Sequence, residues 1–199
     1  PDDPEFQQRV LLQALSLIER QEGPVLEDFP EEAAPEIVAG SATAPACPVD
    51  FVEHSPVGTL SHLLAEFSSE IRSMKSWFEL STSQSGRTTT GLSPLEPAQI
   101  PELFEAFLTD SLRPDRFPGI AGHLRRAAED LKAYYFEALS AHPSQSTDPQ
   151  SLANWFWGKT AAAQLIYQVS QKCLEYESKE LQITGKLLLV PRNQLHRFV

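Results

Sequence analysis

The chain has 199 residues, of which 41% are hydrophobic and 22% charged, with a formal net charge of −11. This composition excludes wholesale disorder, and the length allows one ordinary core or a core with an extended arm. Nucleic-acid binding depends on lysine and arginine replacing counterions at phosphates, so the acidity argues against nucleic-acid and anionic-membrane partners.

The sequence contains no apolar run long enough to span a bilayer, and the first residues carry neither a starting methionine nor a signal-peptide pattern. We therefore expect a piece of a larger protein. The two cysteines, Cys47 and Cys173, lack the spacing of a zinc site or a disulfide framework. Their rarity fits a reducing compartment, which predicts a cytoplasmic protein.

A first helix is predicted over 5–20, and Gly23-Pro24 ends it. Its apolar residues recur at helical spacing: Phe6, Val10, Leu11, Ala14, Leu15 and Ile18. Residues 21–71 contain no lysine or arginine, and six prolines from 24 to 56 prevent a regular helix there. We interpret 1–23 as an arm helix that ends a preceding domain, 24–56 as an acidic, proline-rich linker and 57–199 as a helical bundle domain.

The later periodicity predicts an all-α bundle of about four main helices. The strongest pattern starts at Thr59 or Ser61, either of which fits an N-cap, and extends to Phe78. A polar loop over 82–94 follows. Further helices are predicted at about 97–108, 119–141 and from Thr147 or Asp148 to about 180, the last a single long helix that contains Gly158. The apolar segment 187–192 is predicted as an extended tail that covers the bundle.

One helix face carries three potential metal ligands, His62, Glu66 and Glu70, at spacings of one turn. Helical bundles hold di-iron sites with glutamates and Glu-x-x-His motifs on facing helices. The chain contains no Glu-x-x-His motif, and these residues lie beside the apolar stripe. The competing interpretation is a solvated helix face.

Covalent catalysis is not expected. Cys173 lies within an apolar helix stripe, where a buried and unreactive thiol is the common case, and Cys47 lies in the linker. Gly158-Lys159-Thr160 imitates the end of a phosphate-binding loop, but Ala153 stands where its first glycine is required.

Two further features favour binding. Arg87, with Thr88 and Thr89, forms a basic, hydroxyl-rich loop that fits a small anion; the alternative is that Arg87 pairs with Glu79 or with the acidic arm. The aromatic residues Trp77, Trp155 and Trp157 belong to runs whose members diverge by about 100° per residue around a helix, so they cannot all face one core. They predict a protein-binding surface, with a second core layer as the alternative.

The first residues, PDDPEFQQRVL at 1–11 and GPVLEDFP at 23–30, resemble the C-terminal end of the B-subunit family of glycine, sarcosine, betaine and proline reductases. The resemblance covers about 30 residues and implies the last helix of a reductase-like domain, followed by a linker and an appended helical domain. The family's reactive selenocysteine or cysteine precedes this region, so no catalytic residue is implied here. RTTTGL at 87–92, DLKAYYFEAL at 130–139 and WFWGKT at 155–160 look like signature stretches of the appended domain.

These patterns predict a non-catalytic helical accessory domain of a larger, reductase-like protein, without a cofactor. It would bind a protein partner or the preceding domain of its parent chain through the tryptophan surface. One alternative is a metal-binding bundle or enzyme fragment that uses His62, Glu66 and Glu70. Another is a module for a small anionic ligand held by Arg87.

Overall fold

The computed structural model of the chain describes residues 4–31 apart from 22 and 24, residues 59–142 and residues 149–198. Every regular element in these ranges is a helix, which confirms the predicted all-α class. No helix in the described ranges is both long and apolar enough to cross a membrane. The chain divides into two compact units, Pro1–Ala44 and Pro45–Val199. The predicted linker lies outside the described residues from residue 32 onwards.

The described part of the first unit is one helix, with a short 3-10 turn after it, and an irregular segment that returns along the helix. Helix α1 spans Pro4–Ser16 and continues as a 3-10 turn over Leu17–Glu19. The segment 25–31, named the strap, contacts it at three points. The Phe29 ring meets the Phe6 ring edge to face at 5.7 Å, and ion pairs join Arg9 to Glu31 at 2.8 Å and Arg20 to Glu27 at 2.9 Å. Since Glu27 contacts the end of the helical segment and Phe29 its start, the strap runs antiparallel to α1.

Within the described ranges, the second unit contains six α-helices. They are α2 (Leu60–Ser85), α3 (Ile100–Leu108), α4 (Ile120–Ser140), α5 (Pro149–Lys159), α6 (Ala161–Leu174) and α7 (Lys179–Ile183). The predicted cap is confirmed at Thr59, whose side chain accepts a hydrogen bond from the His62 amide at 3.3 Å. The proposed cap at Thr147 or Asp148 lies outside the described residues.

The core of the second unit forms where α2 packs against α4 and α6. Its centre is filled by fully buried side chains from four helices: Phe67, Phe104, Leu124, Leu131, Leu165 and Ile166. Truncating one such leucine or isoleucine to alanine typically costs about 2–5 kcal/mol, because a cavity remains.

The predicted long helix after Pro149 is wrong, because the chain breaks between α5 and α6. Thr160 leaves the helical conformation at φ −105° and ψ 145°, and its hydroxyl oxygen accepts a hydrogen bond from the Ala163 amide. A threonine in this conformation caps a new helix instead of continuing the old one. The pattern of apolar residues persists through the break, so periodicity alone does not reveal it.

The predicted extended tail is also wrong. Residues Thr184–Leu188 form a π-helical turn, in which the Leu189 amide donates to the Thr184 carbonyl at 3.1 Å, and Arg192–Arg197 form a 3-10 helix. Leu189 and Val190 between them are buried in the core. Coiling lets the apolar residues reach the core without unpaired backbone groups.

Candidate functional site

The Glu70 carboxylate, one of the three predicted metal ligands, lies in the interior and is only 4% exposed. Its Oε1 accepts a hydrogen bond from the Ala161 amide at 2.8 Å. Its Oε2 accepts one from the Ala162 amide at 3.3 Å and one from the Tyr135 hydroxyl at 2.7 Å. Glu70 therefore occupies the N-terminus of α6, where the free amides and the helix dipole favour an anion.

This placement corrects both interpretations of the His62, Glu66 and Glu70 face. His62 Nδ1 and Glu66 Oε1 lie 3.5 Å apart, but Glu70 faces inward toward α6 instead of joining them. Across the described ranges, no group of three or more His, Cys, Asp or Glu side chains is arranged to hold a metal ion. The solvated-face interpretation is equally wrong for Glu70, because the start of α6 packs against that residue and buries it.

Tyr135, which donates to Glu70, and its neighbour Tyr134 both remain protonated at neutral pH. Burial, and then the negative charge of Glu70, hold the pKa of Tyr135 well above its usual value. Burial, and then the charge of Glu79, raise the pKa of Tyr134 to about 12, and its hydroxyl donates to the Ile71 carbonyl at 2.9 Å. General acid–base catalysis works best with pKa values near the working pH, so this network is suited to joining helices.

The threonine loop predicted to hold an anion already contacts a carboxylate of the chain itself. Glu137 on α4 accepts hydrogen bonds from the Thr88 hydroxyl at 2.7 Å and from the amide and hydroxyl of Thr89, both at 2.6 Å. Arg87 is exposed and forms no ion pair with Glu79, which pairs with Lys75 instead. The donors of the loop are thus engaged by Glu137, and the suggested pairing of Arg87 with Glu79 is not formed.

A second carboxylate of α4 anchors the continuation of the same loop. Asp130 is buried and accepts hydrogen bonds from the amides of Gly91, Leu92 and Ser93 at 2.7–3.0 Å. Sequence reasoning missed this role. The available signal was the spacing of Asp130 and Glu137, which places both on one helix face two turns apart.

The three tryptophans do not form one exposed surface, which corrects the aromatic prediction at Trp157. Trp157 is 3% exposed and lies edge to face with Phe156 at 5.0 Å and with Phe198 at 6.3 Å. It is buried because the chain after Arg192 folds over α5. Trp77 and Trp155 are half-buried, with ring contacts to His142 at 4.6 Å and to Tyr135 at 6.1 Å.

Three exposed apolar side chains follow one face of α1 and its 3-10 turn, at Leu11, Leu15 and Ile18, which we name the α1 ridge. These side chains are 63%, 58% and 77% exposed, and no residue of α1 is buried. Leu15 lies about 180° around the helix from Phe6, the residue that contacts the strap. The apolar residues that recur at helical spacing in this helix therefore lie on two faces, of which the strap contacts one.

Comparison of the chain with models of protein families, with curated proteins and with solved structures gave no match. The resemblance of the first 30 residues to reductase B-subunits is untested by these comparisons and stays a hypothesis.

Proposed function

We propose that the chain is a non-catalytic helical interaction domain and that α1 is its docking element. The observation that supports this most strongly is the exposed α1 ridge on the side of the helix opposite the strap. Its spacing of i, i+4 and i+7 is typical of helices that lie in an apolar groove of another protein. We therefore assign the docking surface to α1 instead of to the tryptophans.

Energetics favour a partner for this helix. Isolated helices shorter than about 12–15 residues are marginal in water, and α1 has 13 residues. The strap contributes two exposed ion pairs and one ring contact, and exposed ion pairs contribute at most about 1 kcal/mol each. Burial of an exposed leucine or isoleucine contributes about 1.5–3 kcal/mol. The ridge therefore offers more stabilisation on docking than the strap supplies.

Charge defines the kind of groove that fits. Residues 4–31 contain six carboxylates and two arginines, a net charge of 2 − 6 = −4. Both arginines already pair with carboxylates of the strap. A groove with an apolar floor and a rim of lysine or arginine would complement this unit, whereas a second identical copy would be repelled.

The partner domain follows from the sequence resemblance. If residues 1–30 correspond to the end of a reductase B-subunit, the α1 ridge packs on a reductase-like domain of the parent protein. The second unit is then an accessory domain attached to that enzyme. In this proposal the described residues have no catalytic role.

The test replaces Leu15 with a photoactivatable phenylalanine analogue in the full chain and identifies the crosslinked protein. Binding of that purified protein is then measured for Leu15→Glu and for Gln13→Glu. Gln13 is exposed on α1 and lies about 160° around the helix from Leu15, so the control adds the same charge to another face. We expect L15E to weaken binding by at least about tenfold, and Q13E to leave it unchanged.

Two results would reject this function. Crosslinks only between copies of the chain, with a dimer in sedimentation, would identify self-association instead. Equal binding by L15E and Q13E would show that the ridge is not the contact surface.

A further inference from the structure

Arginines are concentrated in the turn before α4 and in the first turns of that helix. Residues 113–126 contain four arginines and one aspartate, a net charge of 4 − 1 = +3. The remainder of the chain therefore carries −11 − 3 = −14. In so acidic a chain, a segment with this excess of arginine provides a local positive field that attracts an acidic ligand.

Hydrogen bonds and ring contacts bring part of this segment together as one surface. The Arg113 carbonyl accepts the amides of Arg116 at 3.1 Å and of Phe117 at 3.0 Å, which closes the turn. The Phe117 ring contacts the His123 ring at 5.3 Å. One helical turn beyond His123, the Arg126 guanidinium lies beside Gly122, where an added Cβ would be 3.3 Å from its Nη1. We name as the Arg116 patch the residues Arg113, Arg116, Phe117, His123 and Arg126.

The patch is exposed, and two of its cations are available. Arg113 pairs with Asp115 at 3.2 Å, whereas Arg116 and Arg126 form no ion pair with a carboxylate in the part of the chain that the structure describes. Phe117 is 37% exposed, so the patch combines guanidinium groups with an aromatic face. This mixture is typical of protein-binding surfaces, in which arginine and aromatic residues are enriched.

The local sequence also departs from what would stabilise α4. Helix N-termini favour acidic residues and side-chain caps, yet the first turn of α4 has no acidic residue and Gly119 supplies no side-chain cap. Arginines near this end add positive charge where the helix dipole is already positive. Departures from local stability rules are expected where a surface serves binding.

We propose that the Arg116 patch binds an acidic segment of a partner protein that carries a large apolar side chain. Arg116 and Arg126 receive carboxylates through paired guanidinium hydrogen bonds, and the apolar side chain packs on Phe117 and His123. Nucleic acid and anionic membranes fit less well, because the charge of −14 outside the segment repels an extended polyanion. The Arg116 patch belongs to the second unit and the α1 ridge to the first, and this proposal does not depend on the docking role proposed for α1.

The experiment uses the full chain and a short fluorescein-labelled peptide of glutamate and aspartate with one central phenylalanine. Fluorescence anisotropy at about 20 mM salt detects the binding with little screening. The variant Arg116→Glu/Arg126→Glu tests the patch. Arg125→Glu is the matched control, because Arg125 is exposed on α4 about 160° around the helix from His123.

We expect saturable peptide binding that the double variant weakens by at least about tenfold, while R125E in the same buffer weakens it less than about threefold. Phe117→Ala should weaken binding of this peptide but not of one with alanine in place of its phenylalanine. Three results would overturn the proposal: no saturable binding by the wild-type chain, equal losses in R125E and the double variant, or tighter patch-dependent binding of single-stranded DNA or phosphatidylserine vesicles. Circular dichroism of each variant confirms that α4 is intact, and Arg116→Gln/Arg126→Gln replaces the double variant if it unfolds.

Discussion

Glu70 on α2 and Ala161 at the start of α6 are joined by a hydrogen bond of 2.8 Å from the Ala161 amide to Oε1, across 91 residues of sequence. The same carboxylate accepts the Tyr135 hydroxyl from α4, so one side chain links three helices. The Glu70 carboxylate also stabilises the break in the helix at Thr160, because its two oxygens accept hydrogen bonds from the first free amides of α6.

The first prediction concerns this carboxylate. Glu70→Gln keeps the size of the side chain but removes its charge and one acceptor oxygen, so we expect a loss of about 1.5–3 kcal/mol in the free energy of unfolding. Urea denaturation followed by circular dichroism measures it. Tyr135→Phe removes a single donor to this carboxylate and should cost about 1 kcal/mol.

Glu79→Gln is the matched control for Glu70, since it makes the same change on the exposed side of α2. Its pairing with Lys75 is at the surface, so we expect a loss below about 1 kcal/mol. Equal losses at the two positions would contradict a capping role for Glu70.

The second prediction concerns the closest backbone approach among the described glycines. A Cβ at Gly185 would lie 2.5 Å from the Ser170 carbonyl oxygen and 2.8 Å from the Cys173 Cβ. Gly185→Ala must therefore push the π-helical turn away from α6, and we expect a loss of about 1–3 kcal/mol by thermal or urea unfolding.

Gly158→Ala provides the comparison. A Cβ there meets the Arg197 Nη1 at 3.0 Å, the end of a flexible side chain, and alanine favours the helix by up to about 1 kcal/mol. We expect a much smaller change than in G185A. A larger loss of stability in G158A than in G185A would contradict this prediction, because it would show that Arg197 moves aside less easily than the residues around Gly185.

The third prediction tests whether Glu137 occupies the threonine loop. Glu137→Ala vacates the Thr88 and Thr89 donors beside Arg87. Sulfate should then raise the melting temperature of E137A by about 2–4 °C more than that of the wild type, the shift expected for about 1 kcal/mol of binding in a chain of this size. Adding Arg87→Ala to E137A should abolish the extra shift.

Glu129→Ala controls for removal of a carboxylate from α4, because Glu129 pairs with Lys132 on the same helix. Sulfate stabilisation of the wild type as large as that of E137A would show that the loop binds anions without displacing Glu137.

The fourth prediction concerns the buried Cys173 thiol. Burial raises its pKa to about 12, so in a Cys47→Ser background we expect iodoacetamide at pH 8 to modify it only as fast as the protein unfolds. Mass spectrometry with and without urea measures the rates. Fast modification of the folded protein would contradict the burial of this thiol.

The same shift fixes the sign of a pH effect. The pKa of the folded thiol exceeds the unfolded value near 9. The contribution of Cys173 to the free energy of unfolding is therefore complete below pH 9 and is lost as pH rises toward 12. The slope attributable to Cys173 is at most about 1.4 kcal/mol per pH unit. Comparing C47S with C47S/Cys173→Ala separates it from the tyrosines, whose raised pKa values act in the same direction.

The sequence predicted the features that depend on neighbouring residues. The α2 stripe, its Thr59 cap and the helix after Gly119 follow from local spacing and capping chemistry. The break at Thr160 was missed because its cause includes Glu70, 90 positions earlier, which no local pattern encodes. Trp157 was misplaced for the same reason, since the residues that bury it arrive from the end of the chain.

The candidate surfaces were predicted less well than the helices. Apolar periodicity identifies residues such as Phe6 and Leu15 but does not show which face of α1 the strap covers. The loop at Arg87 was correctly recognised as rich in donors, yet its acceptor, Glu137, lies on another helix 48 residues away from Thr89. Long-range pairing of this kind follows from tertiary packing alone.

The π-helical turn at Thr184–Leu188 makes the length of the chain at this point critical. A π turn contains about one residue more than an α turn, and that residue sets the rotation of everything after it. Deletion of a single residue here would shorten the π turn to an α turn and leave Leu189 and Val190 in the core, whereas insertion of a further residue would turn both by about 100° and remove them from it. Proteins that share this fold should therefore tolerate a one-residue deletion between α7 and Leu189 better than a one-residue insertion.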